Sequence, residues 1–391
     1  PSRKTSRSTN SHCHCRKRTG RLLFPQCPGS DRSPSVCSRL CRKAPKALYY
    51  LGNLWYDKRR YPTAIAAWER SSREDETFPT VWRNLSLAYF NKMNRPDEAV
   101  ALLEKAFRLD HTDARVLMEL DQLYKRLNRP HIERLCFLEQ HIDIVMTRDD
   151  LYLEYVTLLN QTGQYREAIR RIDQRKFHPW EGGEGKVPAQ YQLARLELAK
   201  ELINRKKYDD ALALIDECYI YPTHLGEGKL PGAQENDFNY YKAYILQQQG
   251  RPEEAHSLFV KACSGNSQPA AAMYYNDQKP DKIFYQGLAY RKLGEEEKAR
   301  SRFNQLITYG EEHLFDRFKM DYFAVSLPDL LIWEDDMDKK NRIHCNYLMA
   351  LGHLGLGNRT KAEHFFDIAA SMDNNHQGVQ IHRKLMNTIL S

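Results

Sequence analysis

The sequence lacks any long apolar run. No stretch approaches the ~20 apolar residues that a membrane-spanning helix needs. The start of the chain also lacks the apolar stretch of roughly 7–15 residues that a secretory signal peptide carries. A hydrophobic fraction of 41% and a charged fraction of 28% are typical of a folded soluble chain. We therefore expect a cytoplasmic protein without a membrane partner.

Positive charge is scarce outside the first 45 residues. Residues 1–45 contain eleven Lys and Arg against a single acid, Asp31, and so carry +10, whereas the whole chain carries only +8. The remaining chain is therefore close to neutral. This balance argues against a basic nucleic-acid groove in the folded body. Nucleic-acid binding by the basic tail is a separate hypothesis.

Cysteine is also unevenly distributed. Five of the nine cysteines lie in residues 1–45, and the other four are scattered across predicted helices. Lone helical cysteines are typical of small core residues in a reducing compartment. The Arg-, Ser- and Cys-rich segment 1–45 has too few apolar residues to fold, which predicts disorder. A misassigned start is the alternative, because the composition changes sharply at Ala44. Its HCHC stretch lacks the second cysteine pair of a zinc site, and we predict no metal.

Motifs for nucleotide binding and catalysis are missing. Two related stretches, GGEGKVPAQ from Gly182 and LGEGKLPGAQ from Leu225, suggest a phosphate loop. Such a loop needs G-x-x-x-x-G-K-[ST]. Here Lys186 and Lys229 are followed by Val and Leu, and the first glycine is absent both times. No Ser/His/Asp order, H-E-x-x-H or zinc-deaminase signature occurs. We predict no cofactor and no catalytic residue in this chain.

From Ala44 onward the sequence shows a repeating helical pattern. Each unit of about 34 residues places large residues and one small residue on a first helix, and an alanine on a second helix. The small residue lets the two helices approach closely, and the alanine receives that approach. Gly or Asn at the turn ends the first helix. The alanine position recurs eight times, at Ala64, Ala99, Glu133 (in place of alanine), Ala168, Ala211, Ala255, Ala299 and Ala362.

The spacing of these positions divides the array. The first four lie 34 or 35 residues apart, the next three steps are 43 or 44 residues, and the last step is 63 residues. We therefore predict a regular array over residues 46–175 and an array with long loop insertions over residues 176–391. The two glycine stretches occupy the first two enlarged linkers. We expect adjacent repeats to present them side by side on one edge.

The longest insertion spans residues 309–340. Its aromatic residues recur at roughly helical spacing: Phe315, Phe318, Tyr322, Phe323 and Trp333. This spacing predicts an extra helical hairpin packed on the array, and a docking surface for another domain is the alternative. The acids Glu334, Asp335 and Asp336 predict a solvated helix end rather than a metal site.

These helix pairs resemble the tetratricopeptide repeat over most of residues 44–391. The resemblance implies an all-α fold, a right-handed superhelix (α-solenoid) of about eight helix pairs whose first helices line a concave groove. In that family the groove binds peptides or partner proteins. The resemblance therefore implies a protein–protein interaction scaffold. Groove candidates on first helices are Trp82, Asn84, Tyr89, Asp121, Tyr124, Asn160 and Asn239.

The two glycine stretches define a second candidate site, the loop ridge. Each combines an aromatic residue and proline with histidine, glutamate and lysine, a set that suits a sugar or a peptide. The alternative is that the aromatics cap the core and the charges are solvated. Glycoside hydrolysis by its carboxylates would need a defined separation, which the sequence does not fix. The ridge residues are His178, Trp180, Glu181, Glu184, Lys186, Glu227, Lys229, Gln234, Glu235 and Asp237.

Five longer phrases are similar to segments of a bacterial family of large tetratricopeptide proteins. They are FPTVWRNLSLAYFNK, FHPWEGGEGKVPAQY, LGEGKLPGAQEND, DYFAVSLPDLLIWEDD and NRIHCNYLMALGHLGLGN. In that family a β-rich domain precedes the repeats, so this chain looks truncated, and any glycoside hydrolase-type activity would belong to the missing domain. Two hypotheses follow. One is a scaffold that binds a peptide, a partner protein or its own upstream domain. The other is a glycan-binding or carbohydrate-processing accessory module centred on Trp180 and Glu227.

Overall fold

The computed structural model describes residues 44–272, 277–317 and 332–386, and within these ranges the chain is helical and contains no strand. The predictions for residues 1–43 lie outside the described residues, as do Phe318, Tyr322 and Phe323 of the long insertion. The helices are α1 (Pro45–Asp57), α2 (Tyr61–Glu74), α3 (Pro79–Met93), α4 (Pro96–Leu109), α5 (Ala114–Arg126), α6 (His131–Gln140), α7 (Ile142–Val145), α8 (Asp149–Gln161), α9 (Tyr165–Asp173), α10 (Lys186–Asn204), α11 (Tyr208–Cys218), α12 (Asn236–Gln248), α13 (Pro252–Ala262), α14 (Pro280–Lys292), α15 (Glu296–His313), α16 (Met337–Gly355), α17 (Arg359–Met372) and α18 (Gln377–Leu385).

Consecutive helices form eight pairs in the described part of the chain. The pairs are α1–α2, α3–α4, α5–α6, α8–α9, α10–α11, α12–α13, α14–α15 and α16–α17. Helix α7 is a single turn, and α18 follows the last pair. The buried apolar side chains form successive clusters along the array rather than one centre. The predicted all-α solenoid of about eight helix pairs is therefore confirmed.

The turn inside each described pair has the same backbone geometry. One residue in every turn has a positive φ: Arg59, Asn94, Asn128, Gly163, Lys206, Gly250, Gly294 and Gly357. A left-handed residue ends a helix and lets the chain reverse. Glycine adopts this conformation without steric cost. Sequence inspection therefore recognised the Gly and Asn turns, whereas Arg59 and Lys206 carry no such signal.

Each second helix buries the same two positions. The fourth residue of the helix is alanine in seven of the eight described pairs, and a large apolar side chain lies four residues later. In the first and seventh pairs the first helix meets them with glycine. A Cβ at Gly52 would lie 2.3 Å from the Trp68 ring, and one at Gly287 would lie 2.4 Å from the Phe303 ring. Since real Cβ contacts are not that short, these helices pack together only with glycine there.

The third pair departs from the prediction that Glu133 takes the alanine position. Glu133 is exposed, whereas Arg134, the fourth residue of α6, is 1% exposed. The Arg134 amide donates to the carbonyl of the residue before the helix (3.2 Å), as the Ala99 amide does in the second pair (3.0 Å). Arg134 therefore occupies the alanine position. The prediction was wrong by one residue because a longer turn starts α6 at His131.

In the third pair, a buried ion pair replaces the contact between a small residue of the first helix and the alanine of the second helix. The eighth residue of α5 is Asp121, where the first two pairs have Gly52 and Ser86. Arg134 donates to both carboxylate oxygens of Asp121, from Nε at 3.0 Å and from Nη2 at 2.7 Å. Both side chains are 1% exposed. The bidentate geometry satisfies two charges that burial would otherwise make costly.

The described part of the 309–340 insertion contains no additional helix. Helix α15 continues to His313, α16 begins at Met337, and residues 332–336 are not helical. The predicted hairpin is therefore not found there. Asp336 caps α16, because its carboxylate accepts from the Lys339 amide (2.8 Å), as expected for a helix end. Asp335 is not solvated as expected, because its side chain is 7% exposed and paired with Arg126.

Replacing Gly352 by alanine tests the close packing of helices. A Cβ at Gly352 would lie 2.6 Å from the Phe303 carbonyl oxygen, so α15 and α16 must move apart. We expect a loss of about 1–3 kcal/mol in the free energy of unfolding, measured by urea denaturation. Gly228→Ala is the control, since no atom lies within 4 Å of its Cβ position. Equal stability of the two variants would contradict the packing account.

Candidate functional site

A cavity of about 750 Å³ lies on the inner face of the array, and we call it the groove cavity. Its wall is made by first helices of three consecutive pairs, with Lys125 from α5, Glu154 from α8 and Gln190 from α10. Ile332 and residues 375–377 border its other side. The first helices therefore form a groove, and later parts of the same chain close part of it.

The first of these later parts is residues 332–335, which we call the strap. Trp333 is fully buried, and its ring lies 5.2 Å from the Phe90 ring in an edge-to-face arrangement. Its Nε1 donates to the Glu119 carbonyl oxygen at 3.0 Å. The indole therefore fills a pocket between α3 and α5 and has its single donor satisfied there.

Asn91 on α3 holds the main chain of the strap. Its Nδ2 donates to the Ile332 carbonyl (2.7 Å), and its Oδ1 accepts from the Glu334 amide (2.9 Å). One side-chain amide thus pairs with a donor and an acceptor two residues apart, as a neighbouring β-strand would. This contact recognises main-chain groups whatever the side chains are.

Two cations on first helices pair with the acids of the strap. Lys92 contacts Glu334, and Arg126 contacts Asp335. Burial alone would raise the pKa of Asp335, but Lys340 and Arg126 outweigh burial and lower it. Despite burial, Glu334 likewise raises the pKa of Lys92. Each acid of the strap therefore has a cation of a first helix beside it.

The second returning part is the C-terminal turn, residues 373–377. Asn128 holds it as Asn91 holds the strap: its Nδ2 donates to the Met372 carbonyl (3.2 Å), and its Oδ1 accepts from the Asn374 amide (3.1 Å). Further along, the side-chain amides of Gln190 and Gln377 donate to each other at 2.8 and 3.0 Å. The last described helix therefore follows a turn that is anchored to α10.

Asn375 connects the C-terminal turn to the ion pair of the third helix pair. Arg134 Nη1 donates to Asn375 Oδ1 and Arg134 Nη2 donates to Glu154, both at 2.7 Å. Burial disfavours the charged form of Glu154, but Lys125 and Arg134 outweigh burial and lower the pKa of Glu154 to about 2. Arg134 thus links α5, α6, α8 and the C-terminal turn through contacts that satisfy its guanidinium.

The two linkers that contain the glycine stretches, which we call the glycine loops, lie directly against each other. The sequence predicted this because the stretches occupy equivalent places in adjacent repeats. The Gly185 amide donates to Glu227 Oε2 at 2.7 Å, and the Phe177 amide donates to the His224 carbonyl at 2.8 Å. Burial raises the pKa of Glu227 and the Glu184 charge adds to this, while the Gly185 amide opposes it. A carboxylate of the second loop therefore serves as the acceptor that the first loop needs.

A second cavity of about 260 Å³, the loop pocket, lies between these loops. Trp180, Glu181 and Glu184 line this pocket and also the groove cavity. Lys186, the first residue of α10, lines the groove cavity. His178 is exposed at the rim of the loop pocket, where its amide donates to Asp149 (2.9 Å). This part of the predicted ridge is therefore one continuous site with the groove.

The rest of the predicted ridge lies elsewhere. Gln234 and Glu235 line a separate cavity of about 670 Å³ beside α12. Lys229 donates to the Tyr219 carbonyl (3.0 Å) and pairs with Glu235. Asp237 is buried and pairs with a lysine of α14. The structure thus divides the ridge into two surfaces.

Among the predicted groove residues, Asp121 lines the groove cavity. Asn160 lies behind the lining and donates to Gln190 Oε1 (2.9 Å). Tyr124 and Tyr89 face second helices, since their hydroxyls donate to Glu104 of α4 (2.7 Å) and Glu69 of α2 (2.9 Å).

The other three predicted groove residues make hydrogen bonds within the array. The Trp82 indole donates to the Glu76 carbonyl (2.9 Å). Asn84 donates to Asn53 (2.9 Å) on the preceding first helix. Asn239 accepts from the Tyr219 hydroxyl (3.0 Å) and lines the separate cavity beside α12. The predicted set is therefore spread over the array and does not converge on one site.

The residues that hold the returning segments were not identified from the sequence. They are Asn91, Asn128, Arg134, Asn375 and Gln377. Asn91 and Asn128 are separated from their partners by more than 240 residues. One local signal was available: an arginine at an alanine position indicates a buried charge that needs partners.

The fold is a solenoid of helix pairs with a groove along its first helices. Two segments match sequence-family models described as "Tetratricopeptide repeat", residues 79–113 and 283–309. The first spans α3 and α4, and the second lies in α14 and α15. These two segments of the chain are therefore similar to tetratricopeptide repeats.

Three solved structures are similar to parts of this chain. One is YrrB, titled a TPR protein with an unusual peptide-binding site (14% identity, TM-score 0.35, covering 47% of this chain and 89% of that one). Another is a tetratricopeptide repeat protein from Parabacteroides merdae (12% identity, TM-score 0.38, covering 67% and 91%). The third is Naa15/Naa10 bound to HypK-THB (12% identity, TM-score 0.41, covering 90% and 63%). Nothing about function follows from similarities this low.

Two negative findings concern the described ranges. None of their helices combines the length and the apolarity needed to span a bilayer. In the same ranges, no group of three or more His, Cys, Asp or Glu side chains is placed to hold a metal ion.

Removing Arg134 tests the buried ion pair. Arg134→Ala leaves Asp121 buried without its partner, and we expect a loss of about 3–5 kcal/mol in unfolding free energy. The double variant Asp121→Ser/Arg134→Ala recreates the Ser86–Ala99 pair of the second repeat and should regain part of that loss. Urea denaturation of both variants measures this. Arg300→Ala, which removes an exposed arginine of α15 that pairs with the exposed Glu296, is the control and should change little. A double variant no more stable than the single one would contradict the account.

Shortening Glu227 tests the contact between the two loops. Glu227→Ala leaves the Gly185 amide without its acceptor, and we expect faster hydrogen exchange at that amide and a loss of about 1–3 kcal/mol. Glu227→Gln keeps an acceptor oxygen and should retain the protection. Amide exchange followed by NMR measures both. Equal exchange in the two variants would show that the carboxylate does not join the loops.

Proposed function

We propose that this protein is an interaction scaffold that binds an extended peptide segment of a partner protein on the inner face of its array. The observation that supports this most strongly is the pair of asparagine contacts. Asn91 and Asn128 each bond a carbonyl and an amide of a non-helical main-chain segment. Such contacts read backbone and not side chains, which is what a peptide-binding surface requires.

The groove cavity supplies the space for a partner. It lies between the strap and the C-terminal turn and is walled by α5, α8 and α10. Its charged lining, with Lys125, Lys186, Glu154 and Glu184, suits the polar groups of a peptide. We propose a segment of a partner protein as the occupant, and the upstream domain implied by the family resemblance is one source of such a segment.

A second candidate function is glycan binding or carbohydrate processing at the loop pocket. It is favoured by Trp180, Glu181 and Glu184, which line the loop pocket and the groove cavity together. An indole beside carboxylates suits the apolar face and the hydroxyls of a sugar ring. Peptide binding and glycan binding therefore depend on different residues of the inner face.

Selection from a random peptide display library, in parallel with a glycan array, separates the two. Under the scaffold proposal, selected peptides bind the wild type and lose affinity at least about tenfold with Met118→Arg, which fills the groove cavity. Ile132→Arg is the matched control on the exposed surface of α6 and should leave binding unchanged. Glycan binding that Trp180→Ala abolishes, without any selected peptide, would favour the second candidate and contradict the first.

A further inference from the structure

We propose that the strap site recognises, in a partner protein, a peptide segment with the order apolar–Trp–acid–acid. The strap of this chain has that order, Ile-Trp-Glu-Asp, and acts as an internal occupant of the site. This inference rests on the proposed scaffold function and names the chemistry of one partner segment. It concerns the surface formed by Phe90, Asn91, Lys92, Glu119 and Arg126, which lies beside the groove cavity.

The tryptophan position of the motif is set by the pocket between α3 and α5. The pocket encloses Trp333 completely, and the edge of the Phe90 ring packs on it. The Glu119 carbonyl accepts the indole N–H at 3.0 Å. Phenylalanine has no donor for this carbonyl, and a tyrosine hydroxyl extends from a different point of its ring. Tryptophan therefore fits both the volume and the hydrogen bond.

The Glu119 side chain is not available to a competing cation. Arg83 donates to both of its oxygens at 2.5 and 2.6 Å, and Arg115 donates at 2.9 Å. Two arginines thus neutralise the buried carboxylate beside the pocket. The local field that the motif meets is positive, which favours acids after the tryptophan.

The acid positions are set by two cations on neighbouring first helices. Lys92 lies at the end of α3 and pairs with the residue that follows the tryptophan. Arg126, the last residue of α5, pairs with the next acid, whose side chain is 7% exposed. Between them Asn91 fixes the main chain, so the peptide runs across the two helices in one register. A neutral or basic residue at either position would leave a cation unpaired.

The strap can be exchanged without unfolding a helix pair. Residues 332–335 belong to no helix, and α16 begins after them at Met337. The contacts between the strap and the site join side chains or single main-chain groups, not a helical ladder. A second segment with the same order can therefore take the same contacts once the strap leaves.

The experiment measures binding of a fluorescein-labelled IWEDD peptide by fluorescence polarisation. Two variants of the protein are prepared. The first carries Trp333→Ala, which empties the indole pocket. The second carries Glu334→Lys/Asp335→Lys, which repels the strap from Lys92 and Arg126. Circular dichroism and urea denaturation identify whichever variant keeps its fold. We expect saturable binding to that variant, at least about tenfold weaker binding of an IAEDD peptide, and at least about tenfold weaker binding of IWEDD to the wild type.

Two further variants in the same background locate the peptide. Adding Asn91→Ala should abolish binding, whereas adding Ile132→Arg, on the exposed surface of α6, should leave it unchanged. Absence of saturable binding to a folded variant, or equal affinity for IWEDD and IAEDD, overturns the inference. The library selection tests the groove cavity in the wild type and without IWEDD. Failure here therefore remains distinguishable from failure of the proposed scaffold function.

Discussion

The close approach of two helices at a small residue is the constraint on which the rest of the structure depends. Gly52 meets Trp68, and Gly287 meets Phe303, at distances that leave no room for a Cβ. The first helices of successive pairs lie side by side and form a groove. In the third pair the same position is filled by the Asp121–Arg134 ion pair, which turns a packing contact into a polar junction that reaches Asn375.

The groove of this protein is partly occupied by its own chain. The strap crosses α3 and α5, and the C-terminal turn crosses α5, α6 and α10, each held by an asparagine that pairs with main-chain groups. The cavity left between them meets the glycine loops at Trp180 and Glu184. The strap, the C-terminal turn and the first of the two glycine loops are far apart in the sequence. They nevertheless meet at one inner surface.

The periodic alanine and glycine positions made the fold predictable, because close packing leaves a regular trace in the sequence. They also placed the two glycine loops side by side. The site was less predictable, since the bonds of Asn91 and Asn128 join residues more than 240 positions apart and follow no local period. Tyr89 and Tyr124 show a related limit: helical spacing alone does not separate a groove-facing residue from one whose hydroxyl contacts the preceding second helix.

Amide hydrogen exchange at Glu334 and Asn374 tests most directly whether later segments of the chain lie in the groove. Neither residue is in a helix, and the amide of each donates to an asparagine side chain of the early repeats. The account predicts that both amides exchange more slowly than in unstructured peptides. Exchange at unprotected rates, while the amides of α3 and α5 remain protected, would show that the groove is empty and would contradict the account.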